Sequence, residues 1–299
     1  MEDKGEQLRT AFNEATRAMD MIIEGTGDRR ERQVERIALL QEKIGKIRGL
    51  IREYLVLVEG PDKQEEKEKV PDDIEIIGHR GCGYEPENTP RSFREALKQN
   101  VDRIELDVWR CASGELVVIH DETLDRTTNG TGRVTNFTLT ELQSFDAGMG
   151  EKIPTLEQVL SIVGGKAKFC IELKESGLTD YVAGLIEQCV KTGECSYEDF
   201  MVSSFNHREL IKLRQRIPQI KIGAILYGMP LRISDLKENI STDSLHVSTE
   251  FISQELIDEA HSHEMTVFAY TVNNADSFRS VLNMGIDGIC SDYPDRFEH

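Results

Sequence analysis

From Ile74 to the C-terminus, short β-rich runs alternate with helical patterns. Strand candidates fall at Ile74 to Arg80, Arg103 to Trp109, Lys168 to Lys174, Phe200 to Phe205, Lys221 to Tyr227, Ser244 to Thr249, Thr266 to Val272 and Gly288 to Asp292. Helix starts between them carry their own signals. Thr89 precedes Pro90, whose fixed φ suits a first helical position, and Thr155 with Gln158 and Thr138 with Glu141 read as capping boxes. Eight strands alternating with helices over about 225 residues predict an α/β fold, a (β/α)8 TIM barrel over residues 73–299, with any active site at the C-terminal strand ends. A doubly wound sheet is the competing arrangement, and as a rule it has fewer strands. The stretch from Leu116 to Ser161 is then expected as an extended loop above the barrel mouth.

Upstream, Leu8, Phe12, Ala15, Met19 and Ile22 recur at spacings of four and three, as do Val34, Ile37, Leu40, Ile44, Ile47, Ile51, Leu55 and Val58. With Gly25-Thr26-Gly27-Asp28 between them, these amphipathic stretches predict an N-terminal α-helical hairpin over residues 1–58, a coiled-coil type of pairing. Gly60-Pro61 and the charge-dense tract Asp62 to Lys69 read as a linker over residues 59–72. A two-helix hairpin has too little core to stand alone, so its apolar stripes must face the barrel, a second copy in a homo-oligomer, or a protein partner. The sequence leaves these open.

Composition removes several classes of function. Lys and Arg number 36 against 54 Asp and Glu, a net charge of −18 that repels nucleic acid and anionic membrane surfaces. An anionic ligand would therefore need local positive charge or a bound metal. The apolar runs are too short for a membrane span, and Met1-Glu2-Asp3-Lys4 lacks the basic start of a signal peptide, so a cytoplasmic chain is expected. The six cysteines (Cys82, Cys111, Cys170, Cys189, Cys195, Cys290) have neither zinc-site spacing nor disulfide-scaffold density and are expected to be reduced thiols.

The polar residues break the apolar rule at the strand ends. Side chains alternate along a strand, so Ile104, Leu106 and Val108 share one face while Glu105 and Asp107 share the other. Glu172 and Lys174 stand likewise opposite Ile171 and Leu173, and the first strand ends in His79 and Arg80. If the apolar faces meet the helices, these charges converge inside the barrel near its top, where unpaired charge is costly. Glu105, Asp107 and Glu172 then form a hard oxygen site suited to one divalent cation, Mg²⁺ or Ca²⁺, with Lys174 sharing that role or reaching a substrate oxygen. A closed ionic network of Glu105, Asp107, Glu172, Lys174 and Arg80, serving stability only, is the competing reading. His79 and His120 lie at or just after two strands beside these acids, and an imidazole pair can take and give a proton near neutral pH. His207, His246, His261, His263 and His299 are read as structural, although the strand of His246 also ends at the mouth.

In order along the chain stand His79-Arg80-Gly81, Pro86-Glu87-Asn88-Thr89, Ile104-Glu105-Leu106-Asp107-Val108, His120-Asp121 and Leu124-Asp125-Arg126-Thr127-Thr128. Ile153-Pro154-Thr155-Leu156-Glu157, the Glu172 and Lys174 pair, Ser204-Phe205, Gly285-Ile286-Asp287-Gly288 and Ser291-Asp292-Tyr293-Pro294 follow. This ordered set resembles the glycerophosphodiester phosphodiesterase family from about Ile74 to the C-terminus and covers none of the hairpin. The resemblance implies a metal-dependent phosphoric diester hydrolase that cuts a glycerophosphodiester into sn-glycerol 3-phosphate and an alcohol. It implies Glu105, Asp107 and Glu172 as metal ligands, His79 and His120 as general base and acid in an unassigned order, and Arg80 and Lys174 on the phosphate. Glu87 matches a position supporting the metal site or the glycerol, and a cyclic phosphate is the implied intermediate.

Tyr270 stands where the family commonly has Trp, which points to a substrate-facing aromatic wall with a hydroxyl and an altered leaving-group preference. Asn100 replaces a common Gly, Cys111-Ala112-Ser113 replaces a usual Thr-Lys-Asp, and the segment Asp146 to Pro154 is shorter than in many relatives. Two further activities use or abandon the same residues. A lysophospholipase D would need an apolar groove for an acyl chain, and a non-catalytic scaffold recruiting partners through the hairpin would have lost an acid or a histidine, none of which is missing. Cleavage of a phosphoinositide would call for a basic surface, against the net charge of −18.

Overall fold

The computed structural model describes residues 67–299. The hairpin expected over residues 1–58, and any oligomer or partner contact through it, lie outside the described residues. All eight predicted strands form: β1 (Glu75–Gly78), β2 (Arg103–Arg110), β3 (Lys168–Leu173), β4 (Phe200–Ser204), β5 (Lys221–Leu226), β6 (Ser244–Ser248), β7 (Thr266–Tyr270) and β8 (Gly288–Ser291). Each pairs in parallel with the next, and β8 pairs with β1. A sheet that closes on itself has no edges, which settles the choice against a doubly wound sheet.

Helices α1 (Pro90–Lys98), α2 (Leu156–Val163), α3 (Thr179–Thr192), α4 (His207–Arg216), α5 (Ser234–Ile240), α6 (Gln254–Ser262) and α7 (Ala275–Asn283) follow β1 to β7 in turn. Their starts match the sequence signals: the Thr89 hydroxyl accepts from the Ser92 amide and the Thr155 hydroxyl from the Gln158 amide. Beyond β8 a 3₁₀ turn (Pro294–Arg296) leads into Phe297–Glu298, which pairs in parallel with Glu68–Lys69. Within the stretch expected as linker, Glu68–Lys69 thus forms a short strand and Val70 is buried. No helix of the described residues is long and apolar enough to cross a membrane.

Alternation along the strands divides the molecule into two layers. Ile104, Leu106 and Val108 join Phe93, Ala96, Val159 and Val163 between barrel and helices, each of these side chains larger than alanine removing apolar area worth about 1.5–3 kcal/mol. The opposite faces fill the interior, where Ile77, Cys170, Met201, Phe268 and Cys290 cluster. At the floor Arg103, 1% exposed, donates through Nε (3.0 Å) and Nη2 (3.2 Å) to Glu75 and through Nη1 to the Phe169 carbonyl (2.8 Å).

Two expectations are corrected. The stretch from Leu116 to Ser161 is not an extended loop: Leu116–Val118 pairs antiparallel with the end of β2, Leu139–Leu142 forms one helical turn, and α2 begins at Leu156. It has its own small core of Trp109, Val117, Ile119, Leu124, Val134, Leu142 and Ile153. A three-residue strand has too short an alternation to register in sequence, and it exists because β2 runs on past its barrel neighbours. The cysteines are not all thiols either. Cys189, near the end of α3, is bonded to Cys195, because Gly193 at φ 80° turns the chain back and brings their Cα atoms to 5.5 Å. Cys82, Cys111, Cys170 and Cys290 stay free and buried.

Candidate active site

The turn after β1 sets the first part of the site. The predicted strand through Arg80 stops at Gly78 because Arg80 (φ 51°) and Gly81 (φ 90°) both leave the extended region. A Cβ at Gly81 would lie 2.4 Å from the Ser92 hydroxyl oxygen, so only glycine lets this turn sit against the start of α1. Ser92 Oγ donates to the Arg80 carbonyl (2.9 Å), and the Arg80 amide donates to Glu105 Oε2 (2.9 Å). His79 and Arg80 are thereby held at the C-terminal end of the barrel.

Register brings the acids together. Asp107 on β2 lies directly beside Glu172 on β3, and Glu105 is two residues below on the same inward face. Each of Glu105, Asp107 and Glu172 offers an oxygen within 4.8 Å of the others, and all three are buried. Asp107 Oδ2 accepts from Asn88 Nδ2 (2.8 Å) and lies 3.5 Å from Arg80 Nε. Its Oδ1 receives no hydrogen bond, although Lys174 Nζ stands 3.4 Å away, and Lys174 donates instead to Glu172 Oε1 (2.8 Å).

These contacts do not balance. Burial, then the charges of Asp107 and Glu172, hold the Glu105 carboxyl well above the usual carboxylate range, and burial with Asp107 pushes Glu172 up to about 7 against the pull of Lys174. For Asp107 burial also acts upwards, but Lys174, Arg80 and the Asn88 hydrogen bond outweigh it and keep the group ionised. Burying each uncompensated carboxylate costs on the order of several kcal/mol. Three converging acids, with an oxygen that accepts no hydrogen bond, Asp107 Oδ1, fit a divalent cation: hard oxygen donors from rigid strands, with anionic charge to spare.

Both predicted histidines are backed by a carboxylate. His79 Nδ1 lies 2.6 Å from Asp292 Oδ1, and Asp292 Oδ2 accepts from Asn273 Nδ2 (2.7 Å). Burial raises the Asp292 carboxyl, yet the His79 and Asn273 hydrogen bonds more than offset it and the net shift is downward. His120 Nδ1 lies 2.6 Å from Asp121 Oδ1, while the His120 carbonyl accepts from Trp109 Nε1 (3.2 Å). Burial lowers the His120 pKa, with Asp107 partly restoring it. With Nδ1–H donated to a carboxylate, Nε2 is the nitrogen available for proton transfer. Glu87 accepts from Arg80 Nη1 (2.9 Å). Tyr270 donates its hydroxyl to the Leu226 carbonyl (2.9 Å), and burial followed by the charge of Glu172 pushes its pKa up to about 12.

The structure therefore gathers His79, Arg80, Glu87, Glu105, Asp107, His120, Glu172 and Lys174 at one mouth, with Tyr270 at the end of β7 on the same rim. His246 does not join them. It is buried inside the barrel against Met201 and Ser244, as a structural histidine. The sequence reading assigned no role to Asn88, Asp121, Arg126, Asn273 or Asp292. Asp121 follows His120 directly and Asp292 follows β8, so position at a strand end was the available signal.

The model of the Glycerophosphoryl diester phosphodiesterase family matches residues 79–296. Over 236 residues the chain is 38% identical to YhdW of Bacillus subtilis (strain 168), named as a candidate glycerophosphodiester phosphodiesterase, with 74% of this chain and 95% of that protein covered. A glycerophosphodiester phosphodiesterase of Caldanaerobacter subterraneus subsp. tengcongensis is 36% identical over 231 residues, covering 74% of this chain and 94% of that protein. Among solved structures, an Oleispira antarctica phosphodiesterase in complex with the product sn-glycerol-3-phosphate superposes with a TM-score of 0.69 at 29% identity, covering 74% of this chain and 94% of that one. By fold and site the protein is a barrel hydrolase of phosphoric diesters. The chain belongs to the glycerophosphoryl diester phosphodiesterase family.

Proposed function

We propose that the protein hydrolyses glycerophosphodiesters to sn-glycerol 3-phosphate and an alcohol, with one divalent cation, Mg²⁺ or Ca²⁺, held by Glu105, Asp107 and Glu172. The observation that carries this reading is the buried acid trio beside Lys174 and Arg80, flanked by two carboxylate-backed histidines. Bound there, the cation supplies positive charge against the phosphoryl oxygens. Arg80 and Lys174 hold the phosphate, and Glu87 keeps the Arg80 guanidinium in place. One histidine accepts the proton of the glycerol 2-hydroxyl as that oxygen bonds to phosphorus. The bond from phosphorus to the departing alcohol oxygen breaks, and the other histidine protonates that oxygen, leaving a cyclic phosphate. Water then bonds to phosphorus as one histidine accepts its proton, the bond from phosphorus to the glycerol 2-oxygen breaks, and the other histidine protonates that oxygen, so the two exchange roles and sn-glycerol 3-phosphate is released. Assaying release of sn-glycerol 3-phosphate from glycerophosphocholine tests the reading, and a folded sample that releases none refutes it.

One observation favours a second substrate. Phe205, which follows β4, and Tyr227, Met229 and Leu231, which follow β5, are exposed on the end of the barrel that carries the site. An apolar rim of this kind suits the acyl chain of a lysophospholipid, cleaved by the same residues. Lysophosphatidylcholine in the same assay decides it: turnover matching or exceeding that of glycerophosphocholine supports the second reading, and no turnover removes it.

A further inference from the structure

Arg126 lies in the loop between Leu116–Val118 and the helical turn at Leu139–Leu142, held on both sides by buried groups. Leu124 is fully buried in the small second core, and Thr128, buried too, returns its amide (3.0 Å) and hydroxyl (2.8 Å) to the Leu124 carbonyl. From this anchored turn the Arg126 guanidinium forks to two carboxylates at once. Nε and Nη2 donate to Asp121 Oδ2 (2.7 Å) and Oδ1 (2.9 Å), while Nη1 and Nη2 donate to Glu87 Oε2 (2.7 Å) and Oε1 (2.7 Å). Asp121 is the carboxylate behind His120, and Glu87 is the carboxylate behind Arg80.

We infer that Arg126 is a positioning residue that locks the proton-transferring His120 and the phosphate-holding Arg80 into one fixed spacing. The inference rests on the reaction proposed above. All four hydrogen bonds go to two carboxylates that each hold a group at the mouth, so the fork acts on the geometry of the site. Only a guanidinium can do this. Its planar fork meets both carboxylates in two-point contacts, whereas an ammonium offers one point of charge. Without it, Asp121 and Glu87 would keep like charges side by side with nothing between them, and each would be free to rotate, carrying His120 and Arg80 with it.

The test compares wild type, Arg126→Met and Arg126→Lys. Arg126→Met is expected to lower kcat about 10- to 100-fold, the range seen when the partner of a site ligand is removed, with KM changed by less than about threefold and the melting temperature unmoved. Arg126→Lys should restore the charge and recover only a minor part of kcat. Nitrogen-15 spectra of His120 give a readout independent of turnover: the Nδ1–H tautomer should dominate in wild type and mix with the other in Arg126→Met. A kcat within about twofold of wild type, full recovery by lysine, or a loss of activity explained by unfolded protein would each overturn the inference. If wild type itself fails to turn over glycerophosphodiesters, the proposed reaction fails and the His120 spectra still decide: a changed tautomer sustains the positioning role, and identical spectra reject it.

Discussion

The two ends of the barrel each hold a cluster of charged side chains, and they are built on opposite terms. At the floor one carboxylate, Glu75, faces two cations, Arg103 and Lys168, and Arg103 spends its donors on Glu75 and the Phe169 carbonyl. Burial raises the Glu75 carboxyl, but Arg103 and Lys168 outweigh it and the net shift is downward. At the mouth three carboxylates meet Lys174 and Arg80, two of the acids are pushed upwards, and Arg80 Nε and Asp107 Oδ1 have no hydrogen-bond partner. In the first cluster the one carboxylate is fully paired and Arg103 has its donors satisfied, as in a network that serves folding. The second keeps anionic charge and open valence in reserve, which argues against the reading of the mouth as a purely structural network.

That contrast can be broken by experiment, and the largest effect is expected at the mouth. Glu105→Gln should cut turnover by about 10³-fold or more while the protein melts at the same or a higher temperature, because the change removes a repelled acid. Glu75→Gln should do the reverse: stability falls by about 3–5 kcal/mol in urea titration, since Arg103 is left buried without its partner, and kcat per folded molecule is kept. Exchange of these two outcomes would show that the clusters have been assigned to the wrong roles. Next in size, His79→Asn and His120→Asn should each lower kcat by about 10²- to 10⁴-fold with little effect on melting. Residual activity near wild type in either variant would remove that histidine from proton transfer.

The smallest effect concerns the barrel interior, between the two clusters. Burial, and then Arg103, push the pKa of His246 down from the ordinary 6.5 to about 3. Between those values the unfolded chain holds a proton that the folded chain does not, so this contribution is complete above about pH 6.5 and declines as pH falls towards 3. In urea titrations wild type should lose about 2 kcal/mol more than His246→Gln between pH 6.5 and about pH 5, the raised carboxyls at the mouth titrating alike in both. An unchanged slope in the variant would place the acid sensitivity elsewhere.

Much of this was legible in the chain, for physical reasons that can be named. Alternation exposed Glu105 and Asp107 because a charged residue on an otherwise apolar strand has nowhere to point but inwards. The capping residues Thr89 and Thr155 marked helix starts because their hydrogen bonds are local. What escaped depends on distant parts of the chain meeting. Asp292 reaches His79 across 213 residues, and Arg126 reaches Glu87 across 39. The antiparallel strand Leu116–Val118 escaped through shortness, and the Cys189 to Cys195 bond because a turn at Gly193, not a cysteine spacing, brings the two together.

The central claim, that the acid excess at the mouth is a cation site serving hydrolysis, is tested most directly by one coupled measurement. Protein stripped with EDTA is titrated calorimetrically with Mg²⁺ or Ca²⁺ while release of sn-glycerol 3-phosphate from glycerophosphocholine is followed in the same samples, for wild type and Asp107→Asn. One binding site per chain is predicted, with turnover absent after stripping, restored as that site fills, and lost together with binding in Asp107→Asn. Turnover that survives EDTA unchanged, or binding that Asp107→Asn leaves intact, would contradict the account.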